Sequence, residues 1–311
     1  MAAAGELPPC VDRARVLDAQ VTSTGVGIAI VGRRWMQPCV AVKLAFSSTA
    51  AAGLEREGRA LAALHEDVRL EGWRSLLPQR LASGSFAAWR YAVDTAIPHA
   101  PALTVAGDET ALAAVQVAAA EAIGILHRRT AAVVTVGDAL VEQWVTRPAA
   151  VLAEQGDRAG AVRAVSDRLA DTLHGRTLSA SWVHGDFWPG NLLVRESGGL
   201  GGIVDWDAAA PHEPVLHDVL HLLLYTRRLT RRADLGQIVL EQLRAPAWTP
   251  HEQRVLRAHG GDPSGGLPER EALLLYWLRH AAVHTRQQVR ARSPRYRVWR
   301  RRNLDRVLEA L

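Results

Sequence analysis

Apolar and polar residues along the first hundred positions fall into short β-prone runs that glycine, proline and polar breaks separate. Short β-prone runs bounded by such breaks are typical of strands. We predict five strands: Arg15 to Val21, Ile28 to Gly32, Val40 to Phe46, Arg80 to Ser85 and Trp89 to Thr95.

One helix interrupts these strands. Leu54, Leu61 and Leu64 recur at roughly helical spacing, and Ser48 can cap a segment that runs to about His65. The N-terminal region is therefore predicted to be a sheet with one helix between its third and fourth strands.

After Pro98 and Pro101 the pattern changes to alanine-rich and leucine-rich helical runs. This change separates an N-lobe, residues 1–95, from a C-lobe, residues 96–311, with a hinge at about residues 94–100. A strand-and-turn segment from Ser181 to Trp206 interrupts the helices, and the glycines of ESGGLGG predict a hairpin loop within it. The predicted helices are Glu109 to Arg129, Asp138 to Gln155, Ala159 to His174, Pro214 to Arg227, Arg232 to Leu243, Pro250 to His259, Glu269 to Arg290 and Tyr296 to Leu308.

Composition narrows the class of protein. The 311 residues are 48% hydrophobic and 22% charged, which suits a soluble protein with one large domain or two lobes. We find no signal peptide and no eighteen-residue uncharged apolar stretch, so we expect a cytoplasmic protein without a membrane partner.

Cys10 and Cys39 are distant in sequence and lack a C-x-x-C pattern, so we expect two reduced thiols. The net charge of +5 is spread widely and no nucleic-acid module is recognisable, so nucleic acid is not an expected partner.

The segments richest in candidate chemistry are WVHGDFWPGNLLV, residues 182–194, and GIVDWDAA, residues 202–209. They place Asp186, Asn191 and Asp205 on a strand, a turn and a second strand. Such a hairpin can direct three oxygen-bearing side chains at one point. Oxygen ligands of this kind suit a hard cation such as Mg²⁺, which prefers carboxylate, amide and phosphate oxygens.

The spacing D-x-x-x-x-N, followed by an aspartate that closes a second strand, is the catalytic arrangement of kinases. With HGD at residues 184–186 and DWD at residues 205–207, the sequence resembles the small-molecule kinase family of aminoglycoside phosphotransferases and choline kinases. The resemblance implies an α+β, protein kinase-like, two-lobed fold, with a small β-rich N-lobe and a larger, mostly helical C-lobe that carries a catalytic β-hairpin. It also implies ATP and Mg²⁺ as cofactors.

The resemblance also assigns roles to these residues. Asp186 would accept or orient the proton of the acceptor hydroxyl, and Asn191 and Asp205 would be magnesium ligands. His184 would order the catalytic loop through hydrogen bonds. Asp207 is either a further metal ligand or a surface capping residue.

Asp218, in EPVLHDVLHLLL, corresponds to an aspartate that braces the catalytic loop in this family. Its alternative interpretation is an ordinary polar residue of a helix. Both interpretations give Asp218 a structural role.

Lys43, in VAVK, is the only lysine among 37 Lys and Arg residues. In kinases a lysine in a strand of this type contacts the α- and β-phosphates, and a glutamate on the next helix holds it. Glu57 is the predicted partner, because REGRALAAL resembles the family's helix pattern, in which a glutamate precedes a run of alanine and leucine. Glu55 is the fallback, and only one of the two can face the strand, because they lie about 200° apart on an ideal helix. A compact ammonium fits between a carboxylate and phosphate oxygens, whereas a guanidinium is wide and planar. Alternatively, Lys43 is a strand residue whose ammonium reaches water.

The loop TSTGVGIAIVG, residues 22–32, lies where a phosphate-covering loop belongs. Gly25 and Gly27 form G-x-G, but Ile30 replaces the third glycine of G-x-G-x-x-G, so an ordinary hairpin turn is an equal alternative.

The predicted acceptor is a hydroxyl of a small molecule such as an antibiotic, a sugar or another natural product. From Arg279 to Arg302 there are nine arginines and no acidic residue, which suits a neutral, anionic or acidic-peptide partner, unless these arginines form a solvated face. A cationic acceptor is an alternative, because the helical region also contains four acidic residues: Asp138, Glu142, Glu154 and Asp157. The alternatives are a Ser/Thr kinase that acts on a peptide or protein and a non-catalytic pseudokinase. The sequence leaves the oligomeric state open.

Overall fold

The predicted strands of the first hundred residues pair into one sheet in the computed structural model, which describes residues 14–22, 24–33, 38–154, 158–260, 266–287 and 294–311. The ends of these five strands differ from the predicted ends by at most two residues. In chain order the strands of the described residues are β1 (Arg15–Val21), β2 (Val26–Gly32), β3 (Pro38–Ala45), β4 (Arg80–Phe86), β5 (Trp89–Thr95), β6 (Ala100–Pro101), β7 (Ala132–Thr135), β8 (Thr177–Val183), β9 (Leu192–Val194), β10 (Leu200–Ile203) and β11 (Ala210–Pro214).

The helices of the described residues follow the predicted order. They are α1 (Ser48–Glu66), α2 (Glu109–Thr130), α3 (Asp138–Val141), α4 (Arg147–Ala153), α5 (Ala159–Leu173), α6 (Leu216–Arg231), α7 (Leu235–Arg244), α8 (Pro250–His259), α9 (Glu269–Gln287), α10 (Pro294–Arg300) and α11 (Arg306–Leu308). Two predicted single helices are instead interrupted by π-helical turns, at Glu142–Thr146 and Arg301–Asp305.

The chain divides into two units. The first comprises the residues up to Gly107 together with Gly190–Ala209, and the second comprises Asp108–Pro189 together with Ala210–Leu311.

The first unit contains the five-stranded antiparallel sheet, in the order β1-β2-β3-β5-β4, and α1. Ser47, one residue before the predicted cap, accepts a hydrogen bond from the Ala50 amide at 3.1 Å and so begins the helix. Small and apolar residues let α1 pack closely on β3 and β5, among them Ala45, Leu54 and Ala92. This packing sets which α1 residues face the central strands.

A second sheet of the first unit, in the order β10-β9-β6, contains the predicted hairpin. The amide of Arg195 donates to the carbonyl of Gly199 at 2.8 Å, and Gly198 takes a φ of +87°, which suits glycine. The predicted hairpin loop in ESGGLGG is confirmed.

The second unit is mostly helical around a large apolar core, whose fully buried members include Trp144, Leu169, Val239 and Trp277. It also contains an antiparallel sheet in the order β11-β8-β7, of which β7 and β11 were not predicted. Both are short, and their strand character depends on pairing with β8, which is distant in sequence from β11. The predicted helix that starts at Pro214 begins only at Leu216, because β11 occupies the preceding residues.

The structure bears on two expectations drawn from composition, the state of the cysteines and the absence of a membrane-spanning segment. Cys39, in β3, is disulfide-bonded, so the expectation of a reduced thiol is wrong there; Cys10 lies outside the described residues. Among the described residues, α2 is the one helix that is long and apolar enough to cross a membrane, but 56% of its most apolar window is buried within the protein. It packs on α8, as a core helix does.

Candidate active site

Four charged side chains of the first unit form a buried cluster, which we call the lysine cluster: Lys43, Glu57, Arg80 and Asp94. Lys43 forms an ion pair with Glu57, and its Nζ lies 3.4 Å from Oδ2 of Asp94. Arg80 bonds the remaining carboxylate oxygens, with Nε 2.5 Å from Oδ1 of Asp94 and Nη2 3.2 Å from Oε2 of Glu57. Charges therefore alternate around a closed ring.

Strand register brings these residues together. Lys43 of β3 pairs with Ala92 of β5, so Asp94, two residues further along β5, points to the same face. Arg80 of β4 pairs directly with Asp94. The helix α1 covers this face, and Glu57 follows Leu54 on its buried side.

Lys43 and Glu57 are both ionised at neutral pH. Burial by itself lowers the pKa of Lys43, but the carboxylates of Glu57, Asp94 and Asp205 outweigh it, so this pKa is raised. Burial raises the pKa of Glu57, but the charge and hydrogen bond of Lys43 outweigh it, so the pKa is lowered. The side chains of Glu57 and Asp94 are each 1% exposed, so their charges depend on protein partners instead of water.

The predicted pairing of Lys43 with Glu57 is confirmed. Glu55, the fallback, is exposed and lies 2.7 Å from Arg90. The contact of Lys43 with phosphates stays a prediction.

Asn191 and Asp205 lie on neighbouring segments of the same unit. Asn191 immediately precedes β9 and its carbonyl accepts a hydrogen bond from the Val204 amide at 3.0 Å, one residue before Asp205. Asp205 has a φ of 67°, in the left-handed region that non-glycine residues enter at a cost of about 1–3 kcal/mol. Trp206 holds this conformation, because its buried ring donates from Nε1 to the Ile203 carbonyl at 2.9 Å.

The donor set of these two residues fits Mg²⁺. The described residues contain no group of three or more His, Cys, Asp or Glu that could hold a metal ion. Mg²⁺ is commonly held by one or two carboxylates together with substrate phosphates and water, so an amide oxygen and one carboxylate suffice. Asp205 also influences the pKa of Lys43, which places its charge near the lysine cluster. The metal roles of Asn191 and Asp205 stay predictions.

Asp207 contacts α1. Its carboxylate lies 3.8 Å from Nη2 of Arg56, and its carbonyl accepts a hydrogen bond from Nε of Arg56 at 3.1 Å. A Cβ at Gly53 would lie 3.3 Å from the Asp207 carboxylate. These contacts agree with the structural alternative for Asp207, and its metal role is an untested prediction.

The loop with Gly25 and Gly27 is a tight hairpin turn. Gly25 has a φ of +83°, and its amide donates to the Thr22 carbonyl at 3.1 Å. Gly27 pairs with Leu44, and a Cβ there would lie 2.9 Å from the ring of Phe46. Turn geometry and packing therefore account for both glycines, and contact with phosphates stays a prediction.

The second unit contains the HGD segment, which follows β8. Oδ1 of Asp186 lies 3.0 Å from Nε2 of His221, and the Asp186 side chain is 33% exposed. Burial raises the pKa of Asp186, but the hydrogen bond from His221 and the nearby imidazoles of His280 and His184 outweigh it, so this pKa lies well below its usual value. Asp186 is therefore a carboxylate at neutral pH.

Asp218 braces the HGD segment, as predicted. Its buried carboxylate accepts hydrogen bonds from the amides of His184, at 2.7 Å, and Gly185, at 2.9 Å. Nε2 of His127 lies 3.1 Å from the same carboxylate, and Nδ1 of His127 lies 2.8 Å from Nε2 of His259.

His184 orders the same loop. Its Nδ1 accepts a hydrogen bond from the Asp186 amide at 3.2 Å, and its ring is fully buried. This contact agrees with the predicted loop-ordering role. On the other side of the loop, Nε2 of His217 lies 3.0 Å from the Gly185 carbonyl.

Sequence reasoning missed several residues that hold these sites, among them Asp94, Arg80, His221 and His127. The histidines of α6 and α9 did leave a signal, because His217, His221 and Tyr225 recur every four residues, as do Tyr276, His280 and His284. For Asp94 and Arg80 the sequence holds no comparable signal, because only strand register aligns them.

Residues 33–256 match the model of the phosphotransferase enzyme family. No curated protein sequence matches the chain.

Solved structures are similar at low identity. An aminoglycoside-3'-phosphotransferase of type VIII is 18% identical over 86% of this chain and 93% of that one, with a TM-score of 0.53. The aminoglycoside phosphotransferase APH(3'')-Id from Streptomyces rimosus, solved with ADP and streptomycin, is 15% identical over 85% and 92%, with a TM-score of 0.52. A macrolide 2'-phosphotransferase type I is 14% identical over 96% and 91%, with a TM-score of 0.52.

These likenesses confirm the predicted α+β, protein kinase-like fold. The family match covers well over half of the chain and includes Lys43, Glu57, Asp186, Asn191 and Asp205. The chain therefore belongs to the phosphotransferase enzyme family.

Proposed function

We propose that this phosphotransferase moves the γ-phosphate of ATP, with Mg²⁺, to a hydroxyl group of a small molecule. The observation that carries the proposal is the ion-paired Lys43, held in the lysine cluster with the charge of Asp205 nearby. A lysine held in this way presents a fixed positive charge to polyphosphate oxygens.

In this proposal each side chain has one task. Lys43 binds the α- and β-phosphates and Glu57 orients it. Asn191 and Asp205 would hold Mg²⁺, which neutralises phosphate charge when bound. Asp186 orients the acceptor hydroxyl. A bond then forms between the acceptor oxygen and the γ-phosphorus, the bond from that phosphorus to the β,γ-bridging oxygen breaks, ADP leaves, and Asp186 receives the hydroxyl proton.

Support for a small-molecule acceptor comes from similar structures that were solved in complex with streptomycin and with kanamycin. The side chains around Asp186 favour an acceptor of lower positive charge than these polyamines. His221 bonds Asp186, the Tyr225 ring lies 4.5 Å from His221, and Arg228 lies over Tyr225 at 4.8 Å. Imidazole, phenol and guanidinium groups do not attract ammonium ions as carboxylates do.

The basic segment from Arg279 to Arg302 gives less support for an acidic partner than its sequence suggests. Arg279 forms an ion pair with Glu213, Arg300 lies 3.3 Å from Asp305, and Arg302 lies 3.6 Å from Asp234. Arg290 and Arg292 lie outside the described residues. The remaining described arginines of this segment are Arg286, Arg295, Arg297 and Arg301.

The test is a mass-spectrometric screen for the mass gain of one phosphoryl group across hydroxyl acceptors of different charge, with Mg-ATP. Asp186→Asn should lower the transfer rate by about 10² to 10⁴ without loss of ATP binding, since it removes the proton acceptor. Asp167→Asn, at an exposed position of α5, is the matched control. An unchanged rate in Asp186→Asn would refute the mechanism, and no transfer by the wild type to any acceptor would refute the proposed function.

A further inference from the structure

A buried polar chain leads from Asp186 into α6 and α9. Oδ1 of Asp186 lies 3.0 Å from Nε2 of His221, and Nδ1 of His221 lies 2.9 Å from Oη of Tyr276. His221 and Tyr276 are both fully buried, whereas Asp186 is partly exposed. The exposed end of the chain is thus a carboxylate and its buried end a phenol.

Donor and acceptor chemistry sets the direction of both hydrogen bonds. An ionised carboxylate only accepts, so Nε2 of His221 carries the proton that bonds Asp186. An imidazole that carries its single proton on Nε2 leaves Nδ1 as an acceptor for the hydroxyl of Tyr276. One tautomer of His221 satisfies the whole chain.

His221 contacts the Asp186 carboxylate on one side, and the rings that pack around it carry no net charge at neutral pH. The His280 ring lies 4.7 Å away, the Tyr225 ring 4.5 Å and the His217 ring 6.1 Å. Burial lowers the pKa of His217 to about 3 and that of His280 well below its usual value. Hydrogen bonds in such low-dielectric surroundings are stronger than in water, so the bond from His221 restrains Asp186 effectively.

Packing alone does not account for a histidine at position 221. Its neighbours on α6 include Leu220, Leu222 and Leu223, all buried. A buried polar ring costs free energy unless it is hydrogen-bonded, and both ring nitrogens of His221 have partners. An aliphatic residue would fill the space but would not contact Asp186 through a hydrogen bond.

We propose that His221 is a positioning residue for the phosphotransfer reaction: it fixes the plane of the Asp186 carboxylate, and Tyr276 fixes the plane of its imidazole. This inference rests on the proposed function, in which Asp186 orients the acceptor hydroxyl. Phosphoryl transfer depends mainly on positioning, because little covalent help is needed from the protein. A misplacement of about 1 Å can cost about 10²-fold in rate.

Two substitutions at His221 separate positioning from packing. The amide nitrogen of a glutamine reaches the place of Nε2, whereas that of an asparagine reaches only the place of Nδ1. His221→Asn should lower kcat by about 10 to 100-fold with the KM for ATP unchanged, and His221→Gln should recover most of this loss. Tyr276→Phe should lower kcat less than His221→Asn. His251→Gln, in α8, where His251 lies 2.9 Å from Gln116, is the matched control.

The kinetic assay follows phosphate released from Mg-ATP with water as acceptor, and transfer to any acceptor found in the screen. Thermal unfolding of each variant verifies that it is folded. A second measurement uses ¹⁵N-histidine NMR, where the Nε2-protonated tautomer of His221 should be seen in the wild type and its proton should lose protection in Asp186→Ala.

The outcomes separate the two proposals. Absence of transfer by the wild type counts against the proposed function. Transfer by the wild type, with equal kcat in wild type, His221→Asn and His221→Gln, overturns the positioning role, as does a His221 protonated at Nδ1 alone.

Discussion

Lys43→Met should destabilise the protein strongly, and a second substitution that restores charge balance should cost less stability in this variant than in the wild type. The lysine cluster has two positive and two negative charges, each carboxylate giving one oxygen to Lys43 and the other to Arg80. Lys43→Met leaves Glu57 and Asp94 with Arg80 alone, which buries one uncompensated negative charge.

The size of the effect follows from burial. Lys43 is 8% exposed and both carboxylates are 1% exposed, so solvent screens this loss little. Breaking a buried pair by removing one partner costs about 3–5 kcal/mol. In a domain of this size, that corresponds to a fall in Tm of about 6–20 °C.

The double variant Lys43→Met/Asp94→Asn restores charge balance, because Arg80 and Glu57 then remain as one pair. Each single variant leaves one unbalanced charge, whereas the double variant leaves none. Its loss of stability should therefore be smaller than the sum of the single losses, by about 0.5–3 kcal/mol.

Urea unfolding at pH 7 measures the free energy of unfolding of the wild type, the two single variants and the double variant, and their m values are compared. Arg69→Met is the control, since the Arg69 side chain lies 2.6 Å from Asp67 and is 52% exposed, and ion pairs of solvent-exposed side chains contribute about 1 kcal/mol or less. Strict additivity of the two single variants would show that the four charges do not act as one network.

Two further variants test the second unit. The pKa of His259 is lowered from 6.5 to about 3, mainly by burial, so the unfolded chain binds more protons below pH 6.5 and stability should fall as the pH drops from about 6.5 to about 3. His259→Gln should reduce that slope of unfolding free energy by up to about 1.4 kcal/mol per pH unit, whereas exposed His174→Gln should not; equal slopes would contradict the argument. Asp218→Asn removes one of the acceptors for the amides of His184 and Gly185 and should cost about 1–3 kcal/mol. Hydrogen exchange should then accelerate at both amides, and unchanged exchange would exclude the bracing role.

Local pattern was sufficient for much of the fold. Short β-prone runs between Gly, Pro and polar breaks predicted all five strands of the main sheet, and helical spacing predicted α1. The resemblance of REGRALAAL to the family's helix pattern predicted Glu57 ahead of Glu55. These features depend on residues close in sequence, where periodicity is informative. The short strands β7 and β11 depend on pairing with β8 and were missed for that reason.

By itself, the sequence determined the reaction class and the main candidate residues, because the HGD and DWD segments and the single lysine are local chemical signals. The tertiary structure alone decided what holds those residues in place. The register of three strands brings Asp94 to Lys43 and Arg80 to Asp94. Tyr276 is linked to Asp186 through His221 where α6 packs on α9. Such contacts join residues far apart in the chain, and only packing of the folded elements specifies them.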